Sequence, residues 1–170
     1  MIEYFLCMNC GKIHQAKIES KLECDDKNVI VYNTYYYDCE CGEYAVNIDP
    51  GMVFIIQTAN KTKLKTRYCC EGHIRYNKIE KCNVFERAYI MFDDSVTIDL
   101  ITDIINNIGL PEGWTINFSE YDTIVLESNF GIKDDDDIPE ESVFNALQTT
   151  YLANLKRWVD KIYEDEMKDD

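Results

Sequence analysis

The sequence predicts an α+β protein: a small cysteine-rich module at the N-terminus, then a small mixed α/β unit, then a long C-terminal helix. Three observations predict it. Two glycine-followed cysteine pairs, Cys7/Cys10 and Cys39/Cys41, each come directly after a stretch rich in β-branched and aromatic residues. Ile98, Ile101, Ile104, Ile105 and Ile108 recur at helical spacing and stop at Gly109, with Pro111 beyond. After Pro139, the residues Val143, Leu147, Tyr151, Leu155, Trp158 and Ile162 form one apolar stripe. The chain has 170 residues, room for one ordinary domain plus a small module, and 46% of them are hydrophobic, which supplies a core and excludes disorder. The expected division is 1–47, 48–131 and 132–170.

Residues 2–6 and 29–37 read as strands. Asp49-Pro50-Gly51 reads as the start of a helix over about 50–60, with Asp49 as its cap and Pro50 in the first turn. Residues 64–70 and 88–92 read as strands, and 98–108 as a helix. Residues 114–118 and 123–126 form an antiparallel pair across a polar turn, giving the middle unit four strands and two helices. Asp134 to Asp137 form an acidic loop, and the final helix lays its stripe on the core. No run approaches the roughly 20 apolar residues of a membrane span, and no export signal precedes Cys7. A cytoplasmic, reducing setting follows, in which spacing rather than disulfide pairing interprets the 8 cysteines.

The formal net charge is −15, which excludes a polyanion binder that uses its whole surface. Residues 1–92 carry 12 basic and 12 acidic side chains, whereas 93–170 carry 5 basic and 20 acidic. The entire excess lies in the C-terminal portion. Within 61–87 the balance reverses to +5 through residues that include Lys63, Lys65, Arg67 and Arg75.

Cys7-Met8-Asn9-Cys10-Gly11 and Cys39-Glu40-Cys41-Gly42 are the strongest constellation. Glycine after the second cysteine permits the positive φ of a tight knuckle, and two knuckles offer four sulfurs at tetrahedral corners. The segment resembles a zinc ribbon over roughly its first 45 residues, with Cys7, Cys10, Cys39 and Cys41 as ligands of a structural Zn²⁺. The second turn is one residue short of the usual spacing. Iron also suits four thiolates, and His14 is a substitute ligand for Cys39 or Cys41. Cys24 reads as a spare thiol in a polar connection.

Cys69-Cys70-Glu71-Gly72-His73 is the second notable segment. Neighbouring strand residues face opposite sides, so only one of Cys69 and Cys70 can meet His73. Three readings apply: a Cys/His dyad, a small metal site that adds Cys82, or a buried cysteine beside a histidine that caps the strand. No acidic partner for His73 is visible. With Ile48-Asp49-Pro50 through Asn60, Thr66 to His73 and Ala88-Tyr89-Ile90-Met91-Phe92, the chain resembles a group of small uncharacterised zinc-ribbon proteins of Gram-positive bacteria and their phages. These share a Thr-x-x-Cys-Cys-x-Gly-His strand end. The resemblance covers about 90 residues, leaves the acidic C-terminal part outside, and implies architecture without an activity.

Three functions fit. The first is an acidic regulator or inhibitor, of phage type, that occupies a basic surface of a nucleic-acid-handling protein through Asp134, Asp135, Asp136, Asp137, Glu140 and Glu141. The second is a nucleic-acid-binding module. In it Lys63, Lys65, Arg67 and Arg75 contact phosphates, while Tyr32, Tyr35, Tyr36, Tyr37 and Tyr68 stack on bases. The third is an enzyme using Cys69 or Cys70 with His73.

Overall fold

The computed structural model describes residues 2–17, 21–25, 28–32, 36–77, 82–119, 122–132 and 138–168. Its N-terminal part is a four-stranded antiparallel sheet built from β1 (Ile2–Cys7), β2 (Ile13–Lys17), β5 (Tyr36–Asp38) and β6 (Tyr44–Ile48), in the order β2-β1-β6-β5. Between β2 and β5 lies a separate hairpin of β3 (Lys21–Asp25) and β4 (Asn28–Tyr32). The described parts of 29–37 belong to two different strands, β4 and β5, which pair in different sheets, and residues 33–35 lie outside the described residues. Cys24 is a strand residue and not part of a connection.

The helix α1 (Val53–Ala59) leads to β7 (Thr66–Cys70), then to a hairpin of β8 (His73–Asn77) and β9 (Cys82–Glu86), then to β10 (Ala88–Phe92). After α2 (Ile98–Ile108) come β11 (Thr115–Phe118) and β12 (Ile124–Ser128), which join β10 and β7 in a second antiparallel sheet of order β11-β12-β10-β7. Among its described residues the middle part holds six strands, not the four expected, because β8 and β9 pair outside that sheet. Asp49 does not cap α1: Met52 occupies the N-cap and no side chain bonds the helix start. The α2 boundaries match their expectation. Thr97 accepts a hydrogen bond from Leu100 N–H at 3.2 Å, and Gly109, at φ +76°, closes the last turn.

The core explains the layering. Along β10, Ala88, Ile90 and Phe92 turn inward, as strand alternation requires, and on β12 Ile124, Val125, Leu126 and Ser128 are all buried. From α1 come Val53, Ile55, Ile56 and Ala59, and from α2 Ile101, while Ile98 stands exposed. The long helix α3 (Glu141–Glu166) covers this core with Phe144, Leu155, Trp158, Val159 and Ile162. Its stripe faces inward as expected, except that Val143 is exposed and Phe144 takes its place. Polar bonds fix the helix in position. Trp158 Nε1 donates to Gly109 O at 2.8 Å, Asn154 Nδ2 to Glu112 O at 3.1 Å and Gln148 Nε2 to Gly72 O at 2.8 Å. Phe130, at φ +54°, is held in a cage of edge-on rings from Phe85, Phe144 and Tyr151. Among the described residues no helix is long and apolar enough to cross a membrane.

Candidate metal centre

Strand polarity brings the two cysteine knuckles together. The C-terminal end of β1 pairs with the N-terminal end of β6, Cys7 opposite Ala45, so the β1–β2 and β5–β6 turns emerge side by side. In the first turn Gly11, at φ +71°, donates its N–H to Cys7 O at 2.8 Å. In the second Gly42, at φ +89°, donates to Cys39 O at 2.9 Å, and Cys39 N–H reaches Glu43 O at 2.9 Å. The shorter Cys-x-Cys turn thus closes with a one-residue-tighter bond from the same pair of groups. It still presents both sulfurs.

The four sulfurs converge. Cys7 Sγ lies 3.5 Å from Cys41 Sγ and Cys10 Sγ 3.5 Å from Cys39 Sγ, and all four lie within 4.8 Å of one another. That separation is far beyond the roughly 2 Å of a disulfide. It is close to the edge of about 3.8 Å expected for a tetrahedron with 2.3 Å metal–sulfur bonds. Four cysteines so placed could hold one metal ion. His14 is not among the converging donors; its Nε2 lies 3.3 Å from Cys39 Sγ, and its ring stacks on Tyr37 at 4.8 Å, the position of a group that orients a ligand. Lys12 and Glu40 pair at 2.6 Å across the two knuckles.

The thiols do not ionise alike. At Cys41 the Glu43 backbone N–H and then the Cys7 thiol favour the thiolate and bring its pKa to about 7. At Cys39 the Cys41 backbone N–H favours the thiolate too, but desolvation and the neighbouring sulfurs prevail and push it up to about 12. Burial, in the first place, raises Cys7 as well. One negative charge in the cluster discourages the next, and a cation removes that conflict.

The second cysteine segment has a partner that sequence reading missed. Asp49, in the turn between β6 and α1, places Oδ2 3.2 Å from His73 Nε2 and accepts the Glu71 N–H at 3.0 Å. Glu71 returns the contact by accepting the Gly51 N–H at 2.7 Å. Cys70, not Cys69, joins this group: Asp49, Cys70 and His73 each bring a donor atom within 4.8 Å of the others, and Gly72 N–H points at Cys70 Sγ from 3.4 Å. Burial, chiefly, pushes the Cys69 thiol up, which leaves it a poor nucleophile. Asp49 and then Cys70 hold the His73 imidazolium and push its pKa up to about 10. Cys82 is absent from the cluster, because it pairs with Asn77 at the far end of the hairpin while His73 pairs with Glu86. All three clustered residues open onto a cleft of about 830 Å³.

The remaining candidates are dispersed. Arg67 binds Asp94 at 2.7 Å and lies 3.7 Å from Asp93, Arg75 binds Glu86 at 3.0 Å, and Lys65 Nζ donates to Asn60 O. The Lys63 backbone N–H faces the Glu166 carboxylate. Tyr37 and Tyr68 are exposed. Asp134, Asp135, Asp136, Asp137 and Tyr35 lie outside the described residues, while Glu140 and Glu141 stand exposed at the start of α3.

Residues 39–164 match the YoqC prophage protein family. The chain belongs to that family. The YoqC match takes in the whole Asp49/Cys70/His73 group but only the second cysteine knuckle, and it runs on through most of α3, well beyond the Phe92 limit of the resemblance read from the sequence. Comparison with curated proteins finds no match, and comparison with solved structures finds none either.

Proposed function

We propose that this prophage-family protein is a non-enzymatic, zinc-stabilised interaction protein whose acidic C-terminal portion occupies a basic surface on a nucleic-acid-handling partner. Cys7, Cys10, Cys39 and Cys41 hold the ion. Four thiolates close its coordination, leave no place for water, and so make the centre structural. Zinc is favoured over iron because it is the commoner occupant of such knuckles, needs no redox partner and accepts tetrahedral geometry without preference.

The observation that carries the partner assignment is the charge layout. The side chains of Arg67 and Arg75 already face Asp94 and Glu86, and that of Lys65 a backbone carbonyl. This weakens the nucleic-acid reading. Residues 93–170, by contrast, carry 20 acidic against 5 basic side chains. Glu140 and Glu141 extend the acidic run 134–137 into the first turn of α3, a spacing of charge that can imitate phosphates.

The test is capture from a host lysate on immobilised protein, with duplex DNA as competitor. A basic nucleic-acid-handling protein should be retained, displaced by DNA, and lost when Asp134, Asp135, Asp136, Asp137, Glu140 and Glu141 are changed to Asn or Gln. Capture indifferent to those changes refutes the reading. So does a direct, salt-sensitive shift of DNA by the purified protein.

A further inference from the structure

We propose that Asp49, Cys70 and His73 form a second, open metal site for a divalent ion of the zinc class, with a fourth coordination position that faces the cleft and takes water or a small anion. Three chemically different donors converge on one point from two separate turns, the 49–51 segment and the 70–73 segment. The His73 Nε2 to Asp49 Oδ2 separation of 3.2 Å is close to the edge of about 3.4 Å between nitrogen and oxygen ligands of a tetrahedral zinc. Thiolate, imidazole and carboxylate together suit Zn²⁺ and Co²⁺ and are a poor set for magnesium or calcium.

The groups that aim the donors are in place as well. Gly72 N–H is directed at Cys70 Sγ and Glu71 N–H at Asp49 Oδ2, so backbone donors fix two of the three ligands. Gln148, from α3, fixes the turn itself by donating to Gly72 O and Glu71 O. On the open side the cleft is lined by Asn47, Tyr89, Arg75 paired with Glu86, and Arg87 paired with Glu127, so its charge is balanced and it admits water or a small anion.

The same three residue types also make a nucleophilic relay, but the geometry separates the two. In a relay the imidazole stands between thiol and carboxylate and uses one ring nitrogen for each, which sets sulfur and oxygen roughly 7 Å apart. Here they lie within 4.8 Å of one another and of the ring nitrogen. That is a ligand set rather than a relay.

Titration of the reduced, metal-free full-length protein with Co²⁺, followed by visible absorption, tests this. The wild type should take up two equivalents, one with an intense tetrathiolate spectrum and one with a weaker spectrum that azide alters. His73→Ala and Cys70→Ser should each lose the azide-sensitive equivalent and keep the tetrathiolate one, whose survival shows that the chain is folded. Cys82→Ser should keep both. Uptake that lacks an azide-sensitive equivalent, or an azide-sensitive equivalent that persists in both His73→Ala and Cys70→Ser, overturns the proposal. If the tetrathiolate spectrum is missing while the azide-sensitive one behaves as described, the structural-zinc reading fails and this one stands.

Discussion

On the reading that Cys7, Cys10, Cys39 and Cys41 hold an ion, removing it should release the knuckle end of the molecule and leave the rest folded. Among the described residues the buried cluster beneath the knuckles is Phe5, Cys7, Cys39 and Ala45, distinct from the large core around β10, β12 and α3, against which Met8 of the first knuckle packs. Burying Phe5 and Ala45 contributes roughly 3–4 kcal/mol. Ordering the two turns, about eleven residues, costs roughly 11–22 kcal/mol of conformational entropy. On the zinc reading proposed above, the ion supplies on the order of 10–16 kcal/mol, which closes that gap; the Gln57 Nε2 bond to Gly11 O and the packing of Met8 on the large core add to it without closing it. The assay is amide hydrogen exchange with and without a strong chelator under reducing conditions. Gly11 and Gly42, protected by bonds to Cys7 O and Cys39 O, should exchange at loop rates once the ion is gone. Ile90 and Leu126, paired across β10 and β12, should keep their protection. Unchanged exchange at Gly11 and Gly42 refutes the reasoning, and so does loss of protection at Ile90 and Leu126 at the same rate.

Other outcomes follow from the core and its turns. Leu155→Ala empties a fully buried position on α3 and should cost about 2–5 kcal/mol in urea unfolding; a loss below about 1 kcal/mol contradicts the packing described. Gly72→Ala puts a Cβ 2.6 Å from Phe130 Cε2 and 3.0 Å from Ala88 N at φ +82°, and should destabilise by about 2–4 kcal/mol with a visible change in aromatic near-UV dichroism. The Ser95 N–H holds the Asp93 carboxyl below its ordinary value. Its contribution is therefore present above the unfolded carboxylate pKa of about 3.9 and lost as pH falls through the lower folded value. Asp93→Asn should flatten that acid limb slightly while stability at pH 7 falls; a steeper acid limb contradicts the assignment.

What was legible in the sequence was local. Each knuckle is written within four or five residues, and the Ile98 to Ile108 repeat with Gly109 fixes α2 because capping and periodicity agree. The partner of His73 was not legible, since Asp49 lies 24 residues away and its Asp-Pro-Gly context is a plausible helix start. Only the pairing of two turns, each holding a backbone N–H for the other's carboxylate, reveals its second use. β2, with the sequence Ile-His-Gln-Ala-Lys, has little intrinsic strand preference and is a strand because β1 pairs with it. The β8–β9 hairpin lacks an Asn-Gly or Asp-Gly signal, and its Ile74 and Phe85 pack only partly against the core, so neither turn chemistry nor burial announced it.

The anchoring of α3 has a consequence for biosynthesis. Its side chains bond to carbonyls at Gly72, Gly109 and Glu112, and Glu166 reaches the Lys63 amide 103 positions earlier in the chain. The β11-β12-β10-β7 sheet emerges from the ribosome before the helix that covers its core, so nascent chains expose Ile90, Leu126 and Phe130 until translation of α3 is complete. Ribosome-tethered chains cut short of Leu155 should therefore be chaperone clients and protease targets, whereas a tether that frees all of α3 should render the same sheet resistant.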